Sequence, residues 1–398
     1  MNINASANSE KHAQEFRLAD PVFLTEEHKM LRDMIRRFVE KEVVPHGEAW
    51  ERDGKIPREM FLKLGDLGLL GMQHEEEYGG TQMGALASVI FGEELSRSSF
   101  GGFTASITVH TDMSASHITR VGTPEQKARF LPDIIAGRKV CAIGVTEANA
   151  GSDVASIRTR AVRDGNDWVI NGTKMFITNA VYGDIVILAA RTGDLAAGAR
   201  GISLFIVPTD TPGFEVASKL EKHGWLCSDT AELSFTDMRI PAENLLGEEN
   251  RGFHAIMRGF EHERLMIGAF CAGEGAKAIE LTLDYVRART AFGKTLWEQQ
   301  ATRQRLSELA SRVAMVRALT YQTAAALEAG QPVSLETAMI KSVGPEVLHD
   351  VVHGCLQLHG GTGYMRGTPI ERMARDARLL RIGGGATEVM LEEVAKRI

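Results

Sequence analysis

The sequence of 398 residues has few cysteines and no excess of positive charge. Its four cysteines lie far apart without CxxC spacing, so neither a zinc site nor a disulfide framework is indicated, and no bound metal is expected. The formal net charge of -7 disfavours nonspecific binding to nucleic acid or to an anionic membrane surface, because those partners attract clustered Lys and Arg. No apolar run is long enough to span a membrane.

Residues 1–20 also lack the features of a targeting segment. They are polar and mixed in charge, contain no apolar run, and include Glu10 and Glu15, where a transit peptide would avoid acids. The last four residues, AKRI, are not a peroxisomal address. We therefore expect residues 1–20 to form a flexible tail and the protein to be cytoplasmic, in a reducing compartment.

Helical periodicity covers the first third of the chain. Apolar residues recur at helical spacing after Thr25, which precedes two acids suited to a first turn. The segment Thr123-Pro124-Glu125-Gln126 combines an N-cap, a proline at the first helical position and a capping-box glutamine. These patterns predict an N-terminal α-helical domain over residues 21–138.

From residue 139 the apolar pattern changes to short runs separated by turn residues. Asp164-Gly165 and Asn171-Gly172 bracket a three-residue apolar run, which predicts a short strand between two tight turns. Further apolar runs at residues 185–190 and 202–207 predict strands as well. Residues 139–250 are therefore predicted to form a middle β domain.

After residue 250 the helical period returns in long amphipathic stretches, which predict a C-terminal helical bundle over residues 251–398. The predicted fold class is thus α+β, in the order helices, sheet, helices. A dinucleotide-binding Rossmann reading of the glycines fails, because no strand, tight turn and helix followed by a ribose-binding acid frames them.

The segment GVTEANAGSD at residues 144–153 begins the β region. Its small residues let backbone amides approach a phosphate or a flavin edge, although a Gly/Ser-rich connecting loop would fit equally well. The residues of this segment, in this order, resemble one signature of the acyl-CoA dehydrogenase family. Further segments match that family in order: KMFITN at 174–179, RTAFGK at 289–294 with Gln299-Gln300, and QLHGGTGY at 357–364.

The resemblance covers the chain from residue 24 to its end and implies an FAD enzyme with an N-terminal helical domain, a middle sheet and a C-terminal four-helix bundle. Arg289, Phe292 and Gln300 resemble residues that reach the FAD of a neighbouring subunit, which implies a homo-oligomer, the family's tetramer. Two positions depart from the family pattern, Gly367 and Ala386. The residues that the resemblance assigns to FAD are Ile143, Val145, Thr146, Gly151, Ser152, Phe176, Thr178, Arg289, Phe292, Gln300, Gln357, Gly360, Gly361 and Glu388.

The catalytic base is expected on a helix. Many members of the family place a glutamate in the final loop, but the matching residue here is Gly384, which cannot accept a proton. The isovaleryl-CoA and long-chain types supply the carboxylate from a helix, and the matching residue is Glu263. Glu261 competes with it; two positions apart on a helix, the two point about 200° from each other, so only one can face a flavin. Both could also be ordinary surface charges.

The resemblance implies dehydrogenation of an acyl-CoA thioester to a trans-2-enoyl-CoA, with Glu263 as base, flavin N5 as hydride acceptor and an electron-transferring flavoprotein as electron acceptor. An acyl-CoA oxidase and a noncatalytic flavoprotein of the same fold stay open as alternatives. Glycines 383–385 either leave room for a branched or bulky acyl group or serve only the backbone of their loop. The residues that the resemblance assigns to the substrate are Ser152, Glu261, Arg264, Gly383 and Gly384.

Overall fold

The computed structural model describes residue 16 and residues 18–398, so most of the tail predicted over residues 1–20 lies outside the described residues. A first group of helices precedes the sheet. Thr25 and Thr123 cap the first and last of them, and each side chain accepts a hydrogen bond from the third helical residue, His28 and Gln126, in a capping box. The helices are α1 (Glu26–Phe38), α2 (Gly47–Asp53), α3 (Arg58–Asp66), α4 (Gly84–Ser96), α5 (Gly101–Thr108), α6 (Ser116–Val121) and α7 (Pro124–Ile135), with π-type segments at Val39–Val43 and Val109–Ala115.

The middle of the chain forms an eight-stranded mixed sheet in the order β6-β7-β3-β2-β4-β5-β8, with β1 parallel to β4. Its two central strands β4 and β5 are buried almost throughout, as their continuous apolar runs predict. The strands are β1 (Cys141–Gly144), β2 (Arg160–Asp164), β3 (Asp167–Thr178), β4 (Ile185–Arg191), β5 (Ile202–Pro208), β6 (Phe214–Lys219), β7 (Thr230–Pro241) and β8 (Leu245–Leu246).

One of the two predicted tight turns is wrong. Gly165 has the positive φ of 63° that the β2–β3 turn requires, but Asn171 and Gly172 lie inside the long strand β3. The pairing of β3 with β7 shifts register between Ile170 and Gly172, so this glycine marks a β-bulge rather than a chain reversal. The bulge also brings Gly172 against Thr159, where an added Cβ would lie 2.6 Å from the Thr159 Cα.

Three long helices dominate the C-terminal part, and α13 packs beside them on α10. Leu306, Leu309 and Val313 are buried on one side of α9, as their helical spacing predicts. No helix in the described part of the chain combines the length and the apolar content needed to cross a membrane. The elements are α8 (Gly252–Ala288), β9 (Thr290–Ala291), β10 (Lys294–Thr295), α9 (Gln300–Glu328), α10 (Ser334–His359), α11 (Gly361–Tyr364), α12 (Pro369–Asp376) and α13 (Thr387–Ala395).

The carboxylate of Asp376 joins the three parts of the molecule. It is fully buried and accepts hydrogen bonds from the backbone N–H of Gly101 at 3.1 Å and of Trp225 at 2.6 Å. These donors belong to the first helices and to the loop before β7, while Asp376 ends α12. The same contacts hold residues 222–225 in place, and that loop forms one wall of the large cleft described next.

Candidate active site

A cleft with a volume of about 1780 Å³ is lined by residues of all three parts of the chain. Drug-sized ligands need roughly 300–1,000 Å³, so this cleft is large enough for a longer ligand or for two ligands side by side. Three apolar residues of α8, Phe253, Met257 and Phe260, line this cleft. The predicted site residues that line it are Ile143, Val145, Thr146, Gly151, Ser152, Phe176, Thr178, Glu261, Glu263, Arg264, Gly383 and Gly384.

The carboxylate of Glu147 anchors the loop that follows β1 through hydrogen bonds. This carboxylate accepts hydrogen bonds from the backbone N–H of Arg158 at 2.7 Å and of Thr159 at 2.9 Å, and from Nζ of Lys174 at 2.8 Å. Lys174 is fully buried, which lowers its pKa to about 8 while Glu147 opposes the change. The ion pair therefore fixes residues 146–152, and an added Cβ on Gly151 would meet no atom within 4 Å.

A second irregularity in β3 turns Phe176 into the cleft. The pairing with β7 shifts register again between Lys174 and Ile177, and Phe176 between them has a φ of 64°. Bulges commonly re-aim a side chain near a functional site. The Phe176 ring is 65% exposed although its strand is otherwise mostly covered, so an aromatic face is available to a flat ligand.

Glu263 has the environment of a general base. It lies on α8, is only 3% exposed and lines the cleft, and its Oε1 atom has no hydrogen-bond partner among the described residues. Burial raises the pKa of its carboxyl to about 8, against the opposing charges of Arg120 and Arg264. A carboxylate with a raised pKa and a free oxygen can take a proton from a weak carbon acid.

Glu261 is engaged elsewhere. Its Oε1 accepts a short hydrogen bond from the hydroxyl of Ser334 at the start of α10, so this carboxylate ties two helices together. Arg264 stacks over Phe260, and its buried Nε has no acceptor among the described residues. The geometry therefore favours Glu263 over Glu261 as the proton acceptor and leaves a donor of Arg264 available at the cleft.

The glycines before α13 are not equivalent. Gly384 and Gly385 have φ values of 68° and 107°, which other residues adopt only with strain. Gly383 has no positive φ, and an added Cβ there would meet nothing closer than the Leu379 carbonyl oxygen at 3.8 Å. The positive φ values give Gly384 and Gly385 a backbone reason to be glycine, whereas Gly383 has none, and an added Cβ there would make only ordinary contacts with Leu379.

Seven predicted cofactor residues do not line this cleft. Phe292 occupies the tip of the β9–β10 hairpin with a φ of 53° and is 97% exposed, and Gln357 borders a separate surface pocket of about 330 Å³. A residue in such a place can contact a cofactor only in a neighbouring copy or on the outer surface. The seven residues are Arg289, Phe292, Gln300, Gln357, Gly360, Gly361 and Glu388.

Several polar residues around the site are not among the residues that the sequence predicts for it. The motif at residues 174–179 indicates only a strand for Lys174, yet this residue is the buried partner of Glu147. Asp112 accepts a hydrogen bond from Nε2 of His262 at 2.8 Å, next to the base. Arg120 is the charge that most lowers the pKa of Glu263 against the effect of burial. No local pattern marks these residues, because they come from segments more than 100 positions away from α8 or lie within an ordinary alternating strand.

The fold is a sheet flanked by helical regions, and its cleft is large enough for a long ligand. A buried carboxylate in the cleft wall can act as a general base, so the fold and the cleft together are those of an enzyme. Models of the acyl-CoA dehydrogenase N-terminal, middle and C-terminal domains match residues 25–138, 142–238 and 250–398. The chain belongs to the acyl-CoA dehydrogenase family, and it is an oxidoreductase.

Known proteins of this family are similar over nearly the whole chain. The mitochondrial long-chain specific acyl-CoA dehydrogenase of Rattus norvegicus is 39% identical over 373 residues, which cover 94% of this chain and 86% of the relative. The acyl-CoA dehydrogenase structure from Geobacillus kaustophilus is 39% identical with a TM-score of 0.90, and the match covers 94% of this chain and 99% of that chain. A glutaryl-CoA dehydrogenase from Mycobacterium smegmatis, in complex with FADH2, is 30% identical with a TM-score of 0.88, and the match covers 94% of this chain and 95% of that chain.

Proposed function

We propose that this acyl-CoA dehydrogenase uses FAD to convert an acyl-CoA thioester to a trans-2-enoyl-CoA, with Glu263 as the catalytic base. The observation that carries the proposal is the buried Glu263 carboxylate, which has a free oxygen and lines a cleft large enough for cofactor and substrate together. The oxidoreductase class and the dehydrogenation of acyl-CoA follow from the family. The cytoplasmic location expected from the sequence stays a prediction.

The cleft suits FAD. The exposed ring of Phe176 offers a stacking face, and the hydroxyls of Thr146, Ser152 and Thr178 line the cleft without a hydrogen bond to another described residue. The open space at Gly151 lets backbone amides approach the cofactor closely. The FADH2 complex of the Mycobacterium smegmatis relative supports the same cofactor. When bound, FAD supplies the acceptor for the hydride that leaves the substrate Cβ.

The protein's own groups act on the thioester and on the Cα–H bond. The backbone N–H of Gly384 has no acceptor among the described residues, so it is the proposed donor to the thioester carbonyl oxygen, where negative charge develops. The Glu263 carboxylate accepts the Cα proton while the C–C double bond forms. Arg264 and Ser152 at the cleft wall are the proposed contacts for the acyl-CoA.

Anaerobic titration of the FAD-loaded protein with acyl-CoA tests the proposal. Bleaching of the flavin by straight-chain thioesters is expected, and thioesters branched near the carbonyl should also react because Gly383 puts no side chain into the cleft wall. No bleaching with any thioester would support the noncatalytic flavoprotein instead. Rapid reoxidation by air, with peroxide formed, would support the oxidase over transfer to an electron-transferring flavoprotein.

We further propose that the chain works as a homo-oligomer, the family's tetramer, because Phe292 projects almost fully exposed from a two-stranded hairpin. Replacing it by aspartate should weaken assembly and FAD retention, since a charge would be buried at the interface. Sedimentation of Phe292→Asp beside Leu195→Asp, a substitution at another exposed apolar residue, measures this. An unchanged sedimentation coefficient for Phe292→Asp, or a fully active wild-type monomer, would contradict the proposal.

A further inference from the structure

Arg120 approaches the face of α8 that carries Glu263. Its Nη1 atom lies 3.0 Å from the position that a Cβ would occupy on Gly259. Gly259 and Glu263 are four residues apart, so they share one helix face and are separated by about 6 Å along the axis. The missing side chain at Gly259 therefore makes the space in which this guanidinium sits, one helical turn before the base.

Arg120 acts on Glu263 without pairing with it. In the described part of the chain, Glu263 makes no direct ion pair, and its Oε1 stays free. A direct bidentate pair would occupy both oxygens and hold the proton-accepting group at a low pKa. A positive charge at a greater distance favours the carboxylate form while leaving its oxygens open to substrate.

Several charged and titratable groups surround the base. Burial raises the pKa of Glu263; Arg120 opposes this rise more than Arg264, the next residue along α8, and Asp112 adds to it. His117, whose ring nitrogen lies 3.1 Å from the added Cβ position on Gly259, stays neutral because burial lowers its pKa to about 3. Arg120 is thus the strongest charge that favours the ionised base.

Arg120 lies near the base but outside the cleft. Among the described residues it is not one of those that line the cleft, whereas its neighbour Val121 is. Its side chain is exposed, although the surrounding protein still lowers its pKa by desolvation. The residue can therefore tune Glu263 without touching the substrate.

We propose that Arg120 is a positioning residue that increases the ionised share of Glu263, the form that accepts the substrate proton. This inference rests on the proposed function of Glu263. The function it adds is electrostatic: without Arg120 the base is still present, but a smaller share of it is ionised at neutral pH.

The test is the pH profile of substrate-dependent flavin reduction in the holoenzyme, measured from about pH 6 to about pH 10 under anaerobic conditions. Loss of the positive charge in Arg120→Met should raise the pH midpoint of flavin reduction by about one unit. The reaction should then be about tenfold slower than wild type at the acid end of the range and nearly as fast as wild type at the alkaline end. Arg120→Lys keeps the charge and should stay close to wild type. Arg129→Met, at an exposed arginine of α7, is the control.

A second variant moves the guanidinium without removing it. Gly259→Ala places a methyl group 3.0 Å from Nη1 of Arg120 and 3.1 Å from the ring of His117. Alanine favours the helix, and the Arg120 side chain is exposed whereas His117 is buried, so the protein should fold while the guanidinium is displaced. It should raise the pH midpoint in the same direction. In thermal unfolding, the stability lost by Arg120→Met should grow with rising pH, and this growth should vanish in Arg120→Met/Glu263→Gln.

Failure of this inference and failure of the proposed function give different results. If Glu263→Gln is inactive but Arg120→Met and Gly259→Ala leave the pH midpoint unchanged, or slow the reaction equally at every pH, the role of Arg120 is wrong and the base assignment stands. If Glu263→Gln keeps its activity, the base assignment itself is wrong.

Discussion

Replacing Glu263 by glutamine is expected to lower turnover by about 10²–10⁴-fold, because the amide keeps the shape of the side chain but cannot accept the substrate proton. FAD content and the affinity for a nonreacting acyl-CoA analogue should stay near wild type. Stopped-flow flavin reduction measures the proton-abstraction step directly. Glu261→Gln is the matched comparison, and it should cost much less because Glu261 is occupied by Ser334.

The same variant has a defined effect on stability. The folded-state pKa of Glu263 is raised to about 8, so the ionised carboxylate is disfavoured in the folded protein. Its contribution to stability is therefore complete below the usual carboxyl pKa and is lost as the pH rises through about 8. Glu263→Gln should unfold at the same temperature as wild type or higher above that pH. Lost activity with a lower unfolding temperature at every pH would point to a structural role instead.

Replacing Glu147 by alanine should have the largest effect on the cofactor loop. Among the described residues, the change leaves the buried ammonium of Lys174 with only the Val145 carbonyl as partner, and it removes the acceptor of two backbone N–H groups. Removing one partner of a buried pair costs about 3–5 kcal/mol. Urea unfolding should reveal a loss of this size, and FAD binding should weaken because the loop at residues 146–152 is no longer fixed.

Two further variants make this test specific. Glu215→Ala, at an exposed glutamate of β6 in the same sheet, should leave both stability and FAD binding near wild type. The double change Glu147→Ala/Lys174→Met should recover part of the lost stability, because no unpaired charge then stays buried. If Glu147→Ala binds FAD and unfolds like wild type, the ion pair does not organise the loop.

Glycine 384 illustrates why a missing catalytic residue in one place does not exclude catalysis. The loop position to which the family resemblance assigns a glutamate in many members is here a glycine with a φ of 68°, and an added Cβ would lie 2.9 Å from Cδ1 of Ile267. A glutamate placed there would need both a strained backbone and a shift of that side chain. Rescue of Glu263→Gln by moving the carboxylate to this position is therefore not expected.

The fold could be predicted to a large extent from the sequence, because its signals are local. The helix start after Thr25, the capping box at Thr123 and the spacing of apolar residues in α9 depend only on neighbouring residues, and the structure contains all of them. The turn predicted at Asn171-Gly172 was wrong because a bulge depends on the partner strand. The β7 residue that pairs with Gly172 is Phe235, about 60 positions further along the chain.

The sequence by itself determined the order of helices and sheet, the family, and two candidate glutamates on one helix. The family resemblance already favoured Glu263 over Glu261, and the tertiary structure supplied the physical reason, because burial of Glu263 and a hydrogen bond from Ser334 to Glu261 distinguish them. The tertiary structure also decided that Lys174 pairs with Glu147 and that Arg120 acts on the base. The reason is physical: the pKa of a carboxyl depends on desolvation and on charges brought close by folding, and neither is encoded in local spacing.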